Sequence, residues 1–185
     1  MQIMYDSIEA IERVTHTLDS SPLRCPKCKQ APPLVSHGFV YKYFSSKDKM
    51  KVGKRLWCSY RYGRSGCGAT VRLYMAEIIP RHRYTATELT IFLVTLISSL
   101  SISTAYKAAT NSDEPRNAYR WIAKLKQNLS TYRTLLNHRT DYSTEDLASI
   151  PAPLRNLVPT LVALKEKLGD AFCPCFQSLT QSAFF

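Results

Sequence analysis

Four cysteines constrain this chain more than any other feature. Cys25-Pro26-Lys27-Cys28 is a tight pair, and Cys58 and Cys67 form a looser pair about thirty residues later. Two thiolate pairs brought together by a hairpin supply four sulfurs to one tetrahedral Zn²⁺, and so fix the path of the chain between them. The Cys-Pro-x-Cys turn has the form of a zinc knuckle, in which backbone N–H groups point at the sulfurs. The second pair is less regular: eight residues separate Cys58 from Cys67, where a ribbon usually has two. Gly63, Gly66 and Gly68 allow that loop to fold back, because glycine accepts positive φ without steric cost. A redox Cys-x-x-Cys belongs at a helix start in a βαβ context, which Pro26 and the strand pattern after it do not fit. Four unrelated thiols are the plain alternative. His37 is a substitute ligand in principle, although a lone histidine in Val-Ser-His-Gly reads more simply as a strand or turn residue. Cys173 and Cys175, one residue apart, have poor geometry for chelating one zinc and read as buried or free thiols.

Charge adds a second constraint. The formal net charge is +11, and residues 25–84 alone hold thirteen basic and two acidic side chains. Residues 1–24 and 141–185 are each net −2, and residues 85–140 are net +4. Clustered Lys and Arg favour a polyanion through Coulomb attraction and counterion release. The basic stretch is interleaved with Tyr41, Tyr43, Phe44, Trp57, Tyr60 and Tyr62, more than a solubilising surface needs. The first residues are polar and acidic, unlike a secretory signal. The most apolar run, Leu89–Leu100, is too short for a spanning helix of about 20 residues. These features point to a cytoplasmic, bacterial-type, nucleoid-associated protein.

The expected fold class is α+β: a small zinc-ribbon β-hairpin module, then a mainly helical helix-turn-helix domain. Apolar spacings of three and four from Ile3 to Leu18 predict an amphipathic helix over residues 2–18. Residues 34–44 and 51–58 read as strands joined by the polar turn at 45–49, and residues 69–75 as a third strand. The implied segments are an N-terminal helix (1–22), the ribbon (23–80), the helix-turn-helix domain (81–138) and a C-terminal helical or docking segment (139–185). A basic linker, Pro80–Tyr84, leads to a helix ending near Ser99. A turn and cap at Ser101–Ser103 and a short helix to about 110 follow. Asn111-Ser112 is expected to cap a third helix that continues to about Leu136. In the C-terminal segment, Pro151 and Pro153 break any helix begun at Ser143 or Thr144. Leu154, Leu157, Val158, Leu161, Leu164 and Leu168 form a stripe that either joins the same core or mates with a partner helix.

On the third helix, Ala118, Trp121, Ile122, Leu125 and Leu129 share an apolar face. Arg116, Asn117, Arg120, Lys124 and Gln127 project away from it. Arg donates two bonds to guanine O6 and N7, and Asn reads adenine N6 and N7. Lys124 and Gln127 would sit nearer the phosphates. Lys51, Lys54, Arg55, Arg61, Arg64, Arg81 and Arg83 are the expected backbone contacts of the ribbon and linker. The plain alternative is a basic face that only solubilises the helix.

Together, Cys25-Pro-Lys-Cys28, Val35-Ser-His-Gly38, Trp57-Cys58 with Cys67-Gly68, Ile79-Pro-Arg-His-Arg-Tyr84 and Glu114-Pro-Arg-Asn-Ala-Tyr-Arg-Trp121 resemble a bacterial family of small proteins of mobile elements. These combine a zinc ribbon with a helix-turn-helix, similar to the N-terminal DNA-recognition regions of insertion-sequence transposases. The resemblance covers about residues 23–130, and the long Cys58–Cys67 loop departs from it. It implies binding of double-stranded DNA linked to transposition or integration, in an accessory or regulatory role. The partner would be a transposase, a recombinase or a second copy held through 141–185. No triad of carboxylates, Walker loop or His-Glu-x-x-His motif is present, so an enzyme is not expected. The alternatives are a homodimeric transcription regulator, a protein–protein adaptor with structural zinc, and an RNA binder whose Tyr-rich strands stack unpaired bases.

Overall fold

A computed structural model describes residues 2–16, 23–29, 34–44, 48–136 and 147–185. The chain is mixed α+β and divides into two compact units. Unit 1 comprises Met1–Thr85 with Phe176–Phe184, and unit 2 comprises Ala86–Cys175 with Phe185.

Unit 1 is built on a four-stranded sheet: β1 (Gln2–Tyr5), β2 (Leu34–Tyr43), β3 (Lys49–Cys58) and β4 (Thr70–Met75), in the order β1-β4-β3-β2. β2, β3 and β4 are antiparallel neighbours, and β1 joins β4 in parallel. The N-terminal segment therefore departs from the expected helix. Residues 2–5 are extended and only Ile8–His16 (α1) is helical, while residues 17 and 18 lie outside the described residues. Ile3 and Met4 fit either periodicity, and pairing of Gln2 to Arg72 and Tyr5 to Met75 decides for the strand. Ser7 starts α1, its hydroxyl accepting from the Ala10 N–H at 3.1 Å.

Alternation along the strands gives the sheet two apolar faces. Ile11 of α1 buries against Leu34, Leu56, Val71 and Leu73, and the ligand candidates Cys25 and Cys58 belong to this same cluster. Met4, Val52, Tyr74, Ala76 and Ile78 form a second cluster, with Ala183 of the C-terminal tail packed on it. The tail is anchored by two glutamines. Gln177, fully buried, donates to the carbonyls of Ala76 and Ile78 and accepts from the Phe184 N–H at 2.9 Å. Gln181 accepts from the Met4 N–H at 2.8 Å and donates to the Met4 carbonyl at 3.2 Å. It thereby satisfies backbone groups of edge strand β1 that face away from β4.

Unit 2 contains α2 (Ala86–Ser99), α3 (Ile102–Thr110), α4 (Arg116–Gln127), α5 (Leu129–Leu136), a 3-10 turn at Ala152–Leu154 and α6 (Leu157–Leu168). The last helix, α7 (Phe172–Thr180), begins in unit 2 and places Phe176–Thr180 in unit 1. α2 packs on α3 and α6, and α5 packs on α6. Ser101 caps α3 through the Thr104 N–H at 3.3 Å. Asn111 is the left-handed C-cap of α3, at φ 54°, and not the N-cap of the next helix as expected. The expected third helix starts later, at Arg116, and breaks at Asn128. There the Asn128 N–H is shared between the carbonyls of Lys124 and Leu125, a geometry typical of a helix end. Leu157, Val158, Leu161 and Leu164 are buried, so most of the C-terminal stripe is spent on this unit's own core. The expected helix start at Ser143 or Thr144 lies outside the described residues.

Candidate metal centre and basic surfaces

The sheet brings both cysteine pairs to one point. The sulfurs of Cys25, Cys28, Cys58 and Cys67 all lie within 4.8 Å of one another. Cys25 Sγ is 3.6 Å from Cys67 Sγ, and Cys28 Sγ is 3.7 Å from Cys58 Sγ. A tetrahedral metal with metal–sulfur bonds of about 2.3 Å requires sulfur–sulfur edges of about 3.8 Å. A disulfide requires about 2.05 Å. The four thiols therefore fit a metal ion and not a pair of disulfides. His37 is exposed on β2 and outside this cluster.

The local chain explains the geometry. Residues 25–29 form a turn in which the Lys29 N–H donates to the Cys25 carbonyl at 2.9 Å, with Lys29 at φ 58°. The turn aims the N–H groups of Lys27 and Cys28 at the Cys25 sulfur. Burial pushes the Cys25 thiol up, but these N–H groups, with Cys67 and Cys58, outweigh it and bring the thiol down to about 7. Cys58, at the end of β3, is pushed up to about 12, chiefly by burial, although the Cys67 N–H at 3.3 Å favours its thiolate. Cys25 and Cys58 are buried, Cys28 is half-buried and Cys67 is exposed, and four thiols packed this closely do not all ionise without a cation to share the charge.

The eight-residue loop after Cys58 folds back as a narrow hairpin. The Gly66 N–H donates to Ser59 O at 3.0 Å, and the Gly68 N–H to Cys58 O at 2.9 Å. A Cβ on Gly66 would lie 2.1 Å from Ser59 O, so only glycine permits this approach. At the tip, the Arg64 N–H donates to Arg61 O at 3.2 Å across Tyr62 and Gly63, at φ 55° and 74°. Positive φ at both central positions is the type I′ arrangement.

The basic residues fall into distinct surroundings. Lys51 pairs with Glu12 and lies over the Phe39 ring, and Lys54 donates to Thr15 Oγ1 at 2.8 Å. Both are thus engaged with α1 and the sheet. Arg55, Arg61, Arg81 and Arg83 are exposed, and Arg64 is half-buried. Lys42, not singled out in the sequence, donates to the carbonyls of Ile79 at 3.1 Å and Tyr84 at 3.4 Å, and so holds the basic linker to unit 1.

In unit 2, Ala118, Trp121, Ile122 and Leu125 bury one face of α4. Trp121 meets Phe92 of α2 edge-on at 5.1 Å and Tyr106 of α3 at 5.4 Å, so three helices share one aromatic core. Arg116, Arg120, Lys124 and Gln127 lie on the exposed face. Lys124 reaches over the Phe185 ring at 5.5 Å. Asn117 is half-buried, its side-chain N–H donating to Tyr106 Oη at 3.5 Å, which turns it toward the core.

Arg72 is a further residue that the sequence did not single out. Arg72 of β4 pairs directly with Arg55 of β3, and both are exposed. The alternation Val71, Arg72, Leu73 held the signal for Arg72, but the facing of two arginines depends on register. Comparison with protein-family models, with curated proteins and with solved structures finds no match to this chain.

Proposed function

We propose that this chain is a zinc-stabilised protein that binds double-stranded DNA, with the exposed face of α4 entering the major groove. The observation that carries this reading is the division of α4: Trp121 and its neighbours lock one face into a three-helix core, and Arg116, Arg120, Lys124 and Gln127 are presented on the other. Arginines in the first turns of a helix so held match the way a recognition helix reads base edges. The ribbon adds sequence-independent grip on phosphates through the exposed Arg55 and Arg61 and the half-buried Arg64, and the exposed Arg81 and Arg83 of the linker are further phosphate contacts. Cys25, Cys28, Cys58 and Cys67 would hold one Zn²⁺ whose role is structural, since four thiolates leave no open position to activate water. The reading is therefore one of binding and not of catalysis. The resemblance to mobile-element proteins extends it to an accessory or regulatory role in transposition or integration.

The test is a salt titration of the zinc-loaded protein on duplex DNA. Phosphate contacts predict a log K that falls steeply with log salt. Arg120→Ala should cost about 1–3 kcal/mol on a selected site and relax preference at one base pair. Binding that ignores salt would reject this reading in favour of a protein adaptor.

A further inference from the structure

We propose that the Cys58–Cys67 loop and the sheet face beside it bind single-stranded DNA, with Tyr60 and Tyr62 stacking on unpaired bases and with Arg55, Arg61 and Arg64 shared with the grip on duplex phosphates. The site stands on unit 1 alone and does not depend on α4.

The first observation is an exposed tyrosine where the backbone favours glycine. Tyr62 holds φ 55° at the tip of the tight turn and is 95% exposed. A non-glycine residue in this region costs about 1 kcal/mol or more. With its ring in solvent, Tyr62 gains no burial within the chain to offset that cost. The second observation is a platform. Tyr60 is 59% exposed, yet its ring is held in place. It meets Trp57 edge-on at 5.4 Å, and Gly68 packs so closely that a Cβ there would lie 3.0 Å from the ring. Trp57 is itself fixed by its Nε1–H, which donates to Gly68 O at 3.1 Å. A flat ring that is exposed and already ordered loses little freedom when a base stacks on it.

The third observation is charge. Residues 49–76 contain seven Lys and Arg and no Asp or Glu. Arg55 and Arg72 face each other across β3 and β4, an arrangement of like charges that is unfavourable by itself. Arg61 lies over the Trp57 ring at 5.4 Å. Among the described residues, Arg55, Arg61, Arg64 and Arg72 make no ion pair with a carboxylate. Tyr, Trp and Arg also anchor protein interfaces, but facing arginines without a counter-ion call for a polyanion. Duplex DNA hides its base faces in the stack, so exposed rings select an unpaired strand. The eight-residue spacing that departs from a usual ribbon carries both tyrosines on the loop between Cys58 and Cys67.

The experiment measures fluorescence anisotropy of a labelled oligothymidylate of about 15 nucleotides with the full-length, zinc-loaded protein. Duplex DNA and oligouridylate serve as competitors. Tyr62→Gly should weaken oligothymidylate binding about tenfold while zinc content and melting temperature hold or rise, because glycine relieves the positive φ. Tyr60→Leu should cause a similar loss, and Tyr60→Phe should restore binding. Duplex affinity should stay unchanged in all three. Oligothymidylate binding untouched by Tyr62→Gly and Tyr60→Leu would overturn the proposal. So would an equal loss on duplex, or a preference for oligouridylate. Failure of Arg120→Ala to affect duplex binding would count against the α4 reading and leave this site standing.

Discussion

Replacing Cys28 by serine tests the metal centre directly. Cys28 Sγ sits 3.7 Å from Cys58 Sγ, close to the edge of a tetrahedral thiolate site, so its loss opens one of four coordination positions. Structural zinc contributes about 10–16 kcal/mol to folding in small domains. An even share for one thiolate is about 2.5–4 kcal/mol, and more if the ion leaves altogether. The apolar core cannot make up the difference, since Cys25 and Cys58 are themselves members of the cluster formed by Ile11, Leu34, Leu56, Val71 and Leu73. Against a typical domain stability of about 5–15 kcal/mol, the loss is large. For a unit of this size it amounts to a fall of about 20 °C in melting temperature. Zinc stoichiometry by mass spectrometry, with thermal unfolding followed in parallel, provides the assay. Cys175→Ser is the control, because Cys175 lies outside the four-sulfur cluster and should keep one zinc. Zinc should also be released on acidification, as protons compete for the thiolates. A Cys28→Ser protein that retains one zinc and melts like the parent would refute the four-cysteine site.

Gly66→Ala should disrupt the same centre without touching a ligand, since the new Cβ would meet Ser59 O at 2.1 Å; loss of zinc at equilibrium with a chelator checks it. Gln177→Leu should destabilise unit 1 by about 3 kcal/mol or more in urea unfolding, because it leaves the carbonyls of Ala76 and Ile78 and the Phe184 N–H without their partner. Burial raises the ionisation of Tyr132 above its ordinary value of 10.0, so its neutral form is favoured in the folded state. Its contribution to stability is full below about pH 10 and declines as pH rises further, by up to about 1.4 kcal/mol per pH unit. Tyr132→Phe should flatten that alkaline decline in denaturant titrations at pH 9–11.

Much of the cysteine cluster, of the β2–β4 sheet and of α4 was legible because their signals are local. The Cys25–Cys28 turn, the strands near 34–44, 51–58 and 69–75, and the buried face of α4 at Ala118, Trp121, Ile122 and Leu125 all follow from spacing alone. Where two local readings competed, the sequence was silent. Ile3 and Met4 suit a helix or a strand, and Asn111 suits either end of a helix. Asn128 gave no sign that the helix would stop there. Lys51 and Arg55 look alike in a basic run, yet one pairs with Glu12 and the other faces Arg72.

The sequence by itself determined the chemistry: four thiols able to hold one metal ion, a basic middle, and an amphipathic helix with arginines on its outer face. Tertiary structure decided which of those groups are engaged within the chain and which face solvent. Gln181 meets Met4 across 177 residues of sequence, and Gln177 meets Ala76 across 101. No periodicity encodes such pairs. They form because buried backbone groups must find partners, and the nearest ones are set by how strands and tail pack and not by their order along the chain.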